Sequence, residues 1–211
     1  MRTIAIIGGT GDLGLGLATR LSRSYRVTIG SRDPSRAAEA AAKVSAKVGV
    51  RVLGEENRAA ARDSEIAILA IPNLPSDEML ISLKPELSSK LVISPIVPMR
   101  LHGGLFAPAL ESGSAAERVA AVLGTRVAGA FHTVPAARLM DTSRDLDCDV
   151  LVTAETRDVY RETAEVVSSV PGLRPLYAGP LRNSRMLEFI TPILLDAGKL
   201  NRISSPSIKV V

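Results

Sequence analysis

The residues with a legible chemistry lie close to the start of the chain. Ile4-Ala5-Ile6-Ile7 runs directly into Gly8-Gly9-Thr10-Gly11-Asp12-Leu13-Gly14, where Gly9, Gly11 and Gly14 carry a G-x-G-x-x-G spacing. Glycines so placed permit a tight turn, let the backbone approach a pyrophosphate, and bring the following helix against the strand. The free amides of the first helical turn, with the positive end of the helix dipole, then face the phosphates. Gly9, Thr10, Gly11, Asp12 and Leu13 are therefore expected to hold a dinucleotide. Its type is decided at the end of the next strand. An NAD site places a carboxylate there, whereas this chain has Gly30-Ser31-Arg32 with Arg36 one turn further on. A serine hydroxyl and two guanidinium forks suit a 2′-phosphate that a carboxylate would repel, so NADP(H) is expected.

A second group of polar residues, His132-Thr133-Val134-Pro135-Ala136-Ala137-Arg138, follows a strand-like run and should reach the same sheet edge as the glycines. His132 is the one candidate catalytic side chain. Neither a Ser/His/Asp order nor a metal-ligand cluster is evident, and no metal is expected. Direct hydride transfer between two bound rings needs chiefly proximity and alignment, which fits a site without a dedicated acid or base. Arg138 is open between an acidic ligand and a local carboxylate.

The elements that must position these residues alternate along all 211 residues. Strands are expected at 4–7, 25–30, 49–53, 65–72, 91–95, 126–131, 148–153 and about 173–179. Helices fall between them, including 57–63, a helix over 76–87 interrupted at Pro85, one opened by the capping-box spacing of Ser114 and Glu117, and 158–170. Strand–helix alternation implies an α/β fold, a doubly wound, mostly parallel Rossmann sheet with a small helical C-terminal extension. The expected division is 1–180 for the nucleotide domain and 181–211 for the extension. Residues 96–111 read as a long loop facing a ligand. The helix over 182–200, with Pro192 as a kink, is apolar on more than one side, which predicts packing against a second subunit as a homodimer.

Composition narrows the function classes. Hydrophobic residues make up 46% of the chain and charged residues 23%, and the net charge is +4. Without a basic block interleaved with aromatics, nucleic acid is not an expected partner. No apolar run reaches the roughly 18 residues of a membrane span, and no basic leader precedes the first strand, so a cytoplasmic protein is expected. The single Cys148 cannot form an internal disulfide.

Five segments carry a family resemblance: the glycine motif, Gly30-Ser31-Arg32, Val92-Ile93-Ser94-Pro95-Ile96-Val97-Pro98, the stretch from Phe131 through Arg138, and Gly179-Pro180-Leu181-Arg182-Asn183-Ser184-Arg185 with the turn before it. Together they resemble the NADPH-dependent reductases of coenzyme F420, over nearly the whole chain. The resemblance implies reversible hydride transfer between carbon 4 of NADP(H) and carbon 5 of a 5-deazaflavin. It implies pyrophosphate contacts at Thr10, Gly11, Asp12 and Leu13, and 2′-phosphate contacts at Ser31, Arg32 and Arg36. Deazaflavin contacts would fall in 132–137, including His132, Val134 and Ala136, largely through backbone groups. Ile71 would lie over the nicotinamide, and the loop around Ile96 and Val97 would close over the rings. Two departures stand out: Arg36 where the family has Lys, and Asn73-Leu74-Pro75 where a bulkier residue is expected. Two other readings stay open: an NADP-dependent reductase of a small imine or keto acid, and a non-catalytic NADP(H)-binding module.

Overall fold

A computed structural model describes residues 1–110 and 112–211. The chain forms β1 (Thr3–Ile7), α1 (Asp12–Leu21), β2 (Arg26–Ser31), α2 (Pro34–Val48), β3 (Leu53–Glu56), α3 (Asn57–Arg62), β4 (Ile66–Leu69), α4 (Asp77–Leu87) and β5 (Leu91–Ser94). The second half adds β6 (Met99–His102), β7 (Leu105–Pro108), α5 (Ala115–Leu123), β8 (Arg126–Gly129), α6 (Ala136–Met140), β9 (Cys148–Ala154), α7 (Arg157–Ser168), β10 (Leu173–Tyr177), and α8 (Ser184–Asn201) after a 3-10 turn at Leu181–Asn183.

Eight strands make one sheet in the order β10-β9-β8-β5-β4-β1-β2-β3. All neighbours are parallel except β8 and β9, which run antiparallel. The expected doubly wound sheet is thus the observed one. Its order reverses between β1 and β4, where a crevice opens beyond the carboxyl ends of the strands. β1, β4 and β5 are almost wholly apolar because helices cover both of their faces. Ile4, Ile6, Leu17, Ile29, Ile66 and Ile93 fill one layer, and Ala5, Ile7, Leu69, Leu80, Val92 and Val119 the other.

The boundaries correct the sequence reading in three places. The third strand is Leu53–Glu56, not 49–53. Gly49 caps α2 in the left-handed region at φ 73°, so the residues after it are spent on the turn, and the polar edge strand offers no apolar signal. Pro85 does not interrupt α4, since it lies in the last turn of a helix that Ser76 opens by capping the Met79 amide. The third correction concerns the expected loop at 96–111, which contains an antiparallel hairpin, β6 paired with β7. Gly103 and Gly104, at φ 60° and 83°, supply its two-residue turn. Glu111, the far end of that loop, lies outside the described residues. Among the described residues, no helix is long and apolar enough to cross a membrane.

Candidate functional site

The glycine loop is built by close approach. Gly8 holds the left-handed conformation at φ 70°, and its amide donates to Asn57 Oδ1 at 3.2 Å. A Cβ on Gly9 would stand 2.6 Å from the Ile6 carbonyl oxygen, and one on Gly14 2.4 Å from the Gly9 backbone. The turn conformation that the motif suggested for Gly9 thus belongs to Gly8, while Gly9 and Gly14 are required by space. Gly11 differs: nothing lies within 4 Å of where its Cβ would be. It caps α1 without a side-chain hydrogen bond, leaving the first-turn amides facing that open space. Thr10 and Asp12 flank it.

Ser31 is buried at the end of β2, and its hydroxyl accepts from the Asp33 amide at 3.2 Å. Asp33 in turn caps α2, with Pro34 at its first position, and α2 carries Arg36. Arg32 and Arg36 are exposed and have no ion-pair partner among the described residues. The buried Asn57, which sequence reasoning missed, joins the two turns. Besides receiving the Gly8 amide, its Oδ1 would meet a Cβ on Gly30 at 2.8 Å.

Beside the glycine loop lies a cleft of about 640 Å³. Leu13, Ile71, Val97, His132, Val134 and Ala136 line it, whereas Gly9, Thr10, Gly11, Asp12, Ser31, Arg32 and Arg36 lie outside it. The cleft therefore adjoins the glycine loop through Leu13. Met99, Leu101 and Phe106 of the hairpin, Thr191, Leu194 and Leu195 of α8, and Ser205 and Pro206 beyond it complete the wall. Sequence reasoning assigned none of these. The Gly103-Gly104 pair between alternating residues was the signal for the hairpin, but nothing local marked the others.

Hydrogen bonds hold the wall together. Both oxygens of Asp196 on α8 accept from the Phe106 amide, at 3.0 and 3.1 Å, and Lys199 Nζ donates to the Gly104 carbonyl at 2.6 Å. Thr191 Oγ1 donates to the His132 carbonyl at 3.0 Å. Glu188, buried on the same helix, accepts from the Ala115 and Ala116 amides at 2.9 and 3.3 Å, tying α8 to the start of α5. Burial pushes its carboxyl up to about 7, outweighing those two donors.

The segment carrying His132 is docked onto α1. A Cβ on Gly16 would stand 2.6 Å from Leu139 Cβ, so helices α1 and α6 touch closely. The buried Arg20 guanidinium donates to the carbonyls of Arg138, Leu139, Asp141 and Arg144, capping the end of α6 with a cation. Phe131 takes a left-handed conformation, φ 68°, although it is bulky and buried. Asn73 and Ser205, also cleft-lining, share that region at φ 60° and 56°. Such strain persists only where surrounding contacts over-determine it.

His132 is buried, and neither ring nitrogen has a partner. Desolvation lowers it to about 4, so the imidazole is neutral near pH 7 and has one donor and one acceptor to offer. The titratable residues lining the cleft are Arg100 and His132.

The first part of the chain, residues 3–98, matches the family model described as NADP oxidoreductase, coenzyme F420-dependent. An F420-dependent NADP reductase of Methanothermobacter marburgensis is 39% identical, covering 98% of this chain and 97% of that protein. A solved structure from Arthrobacter sp. FB24 superposes at TM-score 0.85 over 100% of both chains, with 21% identity. An imine reductase from Myxococcus stipitatus superposes at 0.61 with 17% identity, covering 96% of this chain and 64% of that one. At those identities the two structures speak for the fold. With near-complete coverage at 39% identity beside the family match, the chain belongs to the F420-dependent NADP reductase family.

Proposed function

We propose that the protein transfers a hydride reversibly between NADP(H) and coenzyme F420, its two redox substrates. The observation that carries this reading is the apolar cleft next to the glycine loop, together with its lack of a proton donor near neutral pH. The residues fit the two molecules. Open space at Gly11 and the uncapped amides of α1 suit a pyrophosphate, held with Gly9, Thr10, Asp12 and Leu13. Arg32 and Arg36, free of internal partners, would hold the 2′-phosphate with Ser31. Ile71, Val97, His132, Val134 and Ala136 would enclose the nicotinamide and deazaflavin rings.

The two rings supply the redox chemistry. As the C4–H bond of NADPH breaks, the hydride goes to carbon 5 of the deazaflavin, and solvent supplies the accompanying proton. The protein's part is alignment and exclusion of water by an apolar wall. His132, being neutral, contributes an oriented hydrogen-bonding group rather than a charge. A small imine or keto acid would need a proton at the nicotinamide, and neither Arg100 nor a neutral His132 offers an acid suited to it.

Residues 1–180 form the nucleotide domain in this reading, and 181–211 a helical extension whose inner face also walls the cleft. The outer face of α8 exposes Met186, Ile193 and Leu200 by 64, 65 and 67%, one apolar stripe at seven-residue spacing that supports a homodimer. Light scattering on the eluted protein checks this, and a monomer at all concentrations would overturn it. The cytoplasm is the proposed location, because both redox substrates are small carriers of the cell interior.

Mixing the protein with NADPH and oxidised F420 should bleach the deazaflavin absorbance, and NADH should do so much more slowly. NADPH binding without bleaching would overturn the assignment and leave the non-catalytic module.

A further inference from the structure

The segment 202–211 turns back on α8 and reaches the far edge of the sheet. Arg202 ends α8 in the left-handed region at φ 57°, and the Ile203 amide donates to the Gly198 carbonyl at 2.9 Å. A Cβ on Gly198 would stand 3.0 Å from both the Ile203 carbonyl oxygen and Pro206 Cγ, so the returning chain lies directly on the last turn of the helix. Ser205 and Pro206 then face the cleft.

A few residues further on, the same segment is fastened to β9 and β10. The Asp149 amide donates to the Ile208 carbonyl at 2.8 Å, and the Val210 amide donates to Asp149 Oδ2 at 2.6 Å. Arg174 binds both Asp149 oxygens at 2.7 Å and also donates to the Val210 carbonyl at 2.6 Å. Lys209 pairs with Asp147 beside them. Asp149 is buried to 1% exposure, far from the glycine loop in the sheet order, and nothing in the hydride transfer uses it.

We propose that residues 202–211 act as a strap that sets one wall of the deazaflavin site, and that Asp149 and Arg174 are positioning residues that fasten it. An irregular segment loses roughly 1–2 kcal/mol of backbone entropy per residue when it is ordered. The bidentate, charge-assisted pair meets that cost before the ligand arrives, so that the wall at Ser205 and Pro206 is already formed. The strap touches the cleft but not the glycine loop. Its release therefore weakens the hold on F420 and leaves NADPH unaffected. This rests on assigning the cleft to the deazaflavin.

The test uses the full protein, a variant lacking residues 208–211, and Arg174→Met, which keeps Asp149 in place should the deletion fold poorly. Hydrogen–deuterium exchange reads the fastening without any ligand: exchange at 203–207 should rise in both variants while α1 stays protected. In the bleaching assay KM for F420 should rise on the order of tenfold, within the range expected when one wall of a positioned site is loosened. KM for NADPH and kcat at saturating F420 should hold. Unchanged exchange at 203–207 would overturn the fastening. Faster exchange with an unchanged KM for F420, or parallel increases for both substrates, would overturn the role in the deazaflavin site. A wild-type protein that never bleaches F420 would instead overturn the assignment of the cleft, with the exchange result still deciding the fastening.

Discussion

The nucleotide end of the site is made from residues 8–14 and 30–36, two turns at neighbouring strand ends, with the single buried Asn57 between them. The cleft beside it draws on Leu13, the end of β4, the hairpin, the segment after β8, α8 and the strap. The first region is held by backbone sterics, with glycines wherever a Cβ would collide. The second is held by side chains reaching across long sequence separations, such as Thr191 to the His132 carbonyl and Asp196 to the Phe106 amide. A phosphate-binding turn can thus be local, whereas a pocket for a large flat ring has to be enclosed by walls from several elements. Arg20 is where the two regions meet, since it extends from α1 to the carbonyls around α6.

That junction gives the largest expected effect. Arg20→Leu strips a cation from four buried or part-buried carbonyls and should cost roughly 3 kcal/mol of stability. KM should rise for both substrates, read by denaturant titration and steady-state kinetics. A change confined to one substrate would mean the regions are not joined there. Arg32→Ala should separate them. Losing a charge-assisted contact of about 2 kcal/mol raises KM for NADPH roughly 30-fold. KM values for NADH and F420 should hardly move, and an equal rise with NADH would remove the 2′-phosphate role.

Asp196→Ala acts on the other side. Freeing the Phe106 amide should cost about 1 kcal/mol, seen as a fivefold rise in KM for F420 at constant KM for NADPH.

The smallest effects are on pH dependence, and the two buried titratable groups oppose each other. His132 is lowered to about 4, so the stability tied to its neutral form is full above its ordinary value near 6.5 and is lost as pH falls towards 4. Glu188 is raised to about 7, so the stability tied to its protonated form is full below about 4.3 and is lost as pH rises to 7. Melting temperatures of Glu188→Gln across that window should therefore climb more steeply with pH than those of the wild type. His132→Asn should fall more steeply. Parallel curves would contradict the burial of these groups.

Much of this was legible from residue types alone. The apolar runs of β1, β4 and β5 and the alternation between them specify a doubly wound sheet, because a strand buried on both faces must be apolar throughout. The glycine spacing and the absence of a carboxylate after β2 mark the nucleotide end, because backbone sterics and charge at adjacent residues act locally. The register of β3 was illegible because an edge strand of Leu53-Gly54-Glu55-Glu56 has no apolar pattern. Residue types did not show that Asn57 would bridge two glycine turns or that Arg20 would cap a helix more than a hundred residues away. Nor did they show that Ser205 and Pro206 would return to wall the cleft. Those features depend on which elements become neighbours, and only the folded sheet, by placing α1, α6, α8 and the strap around one crevice, decides that.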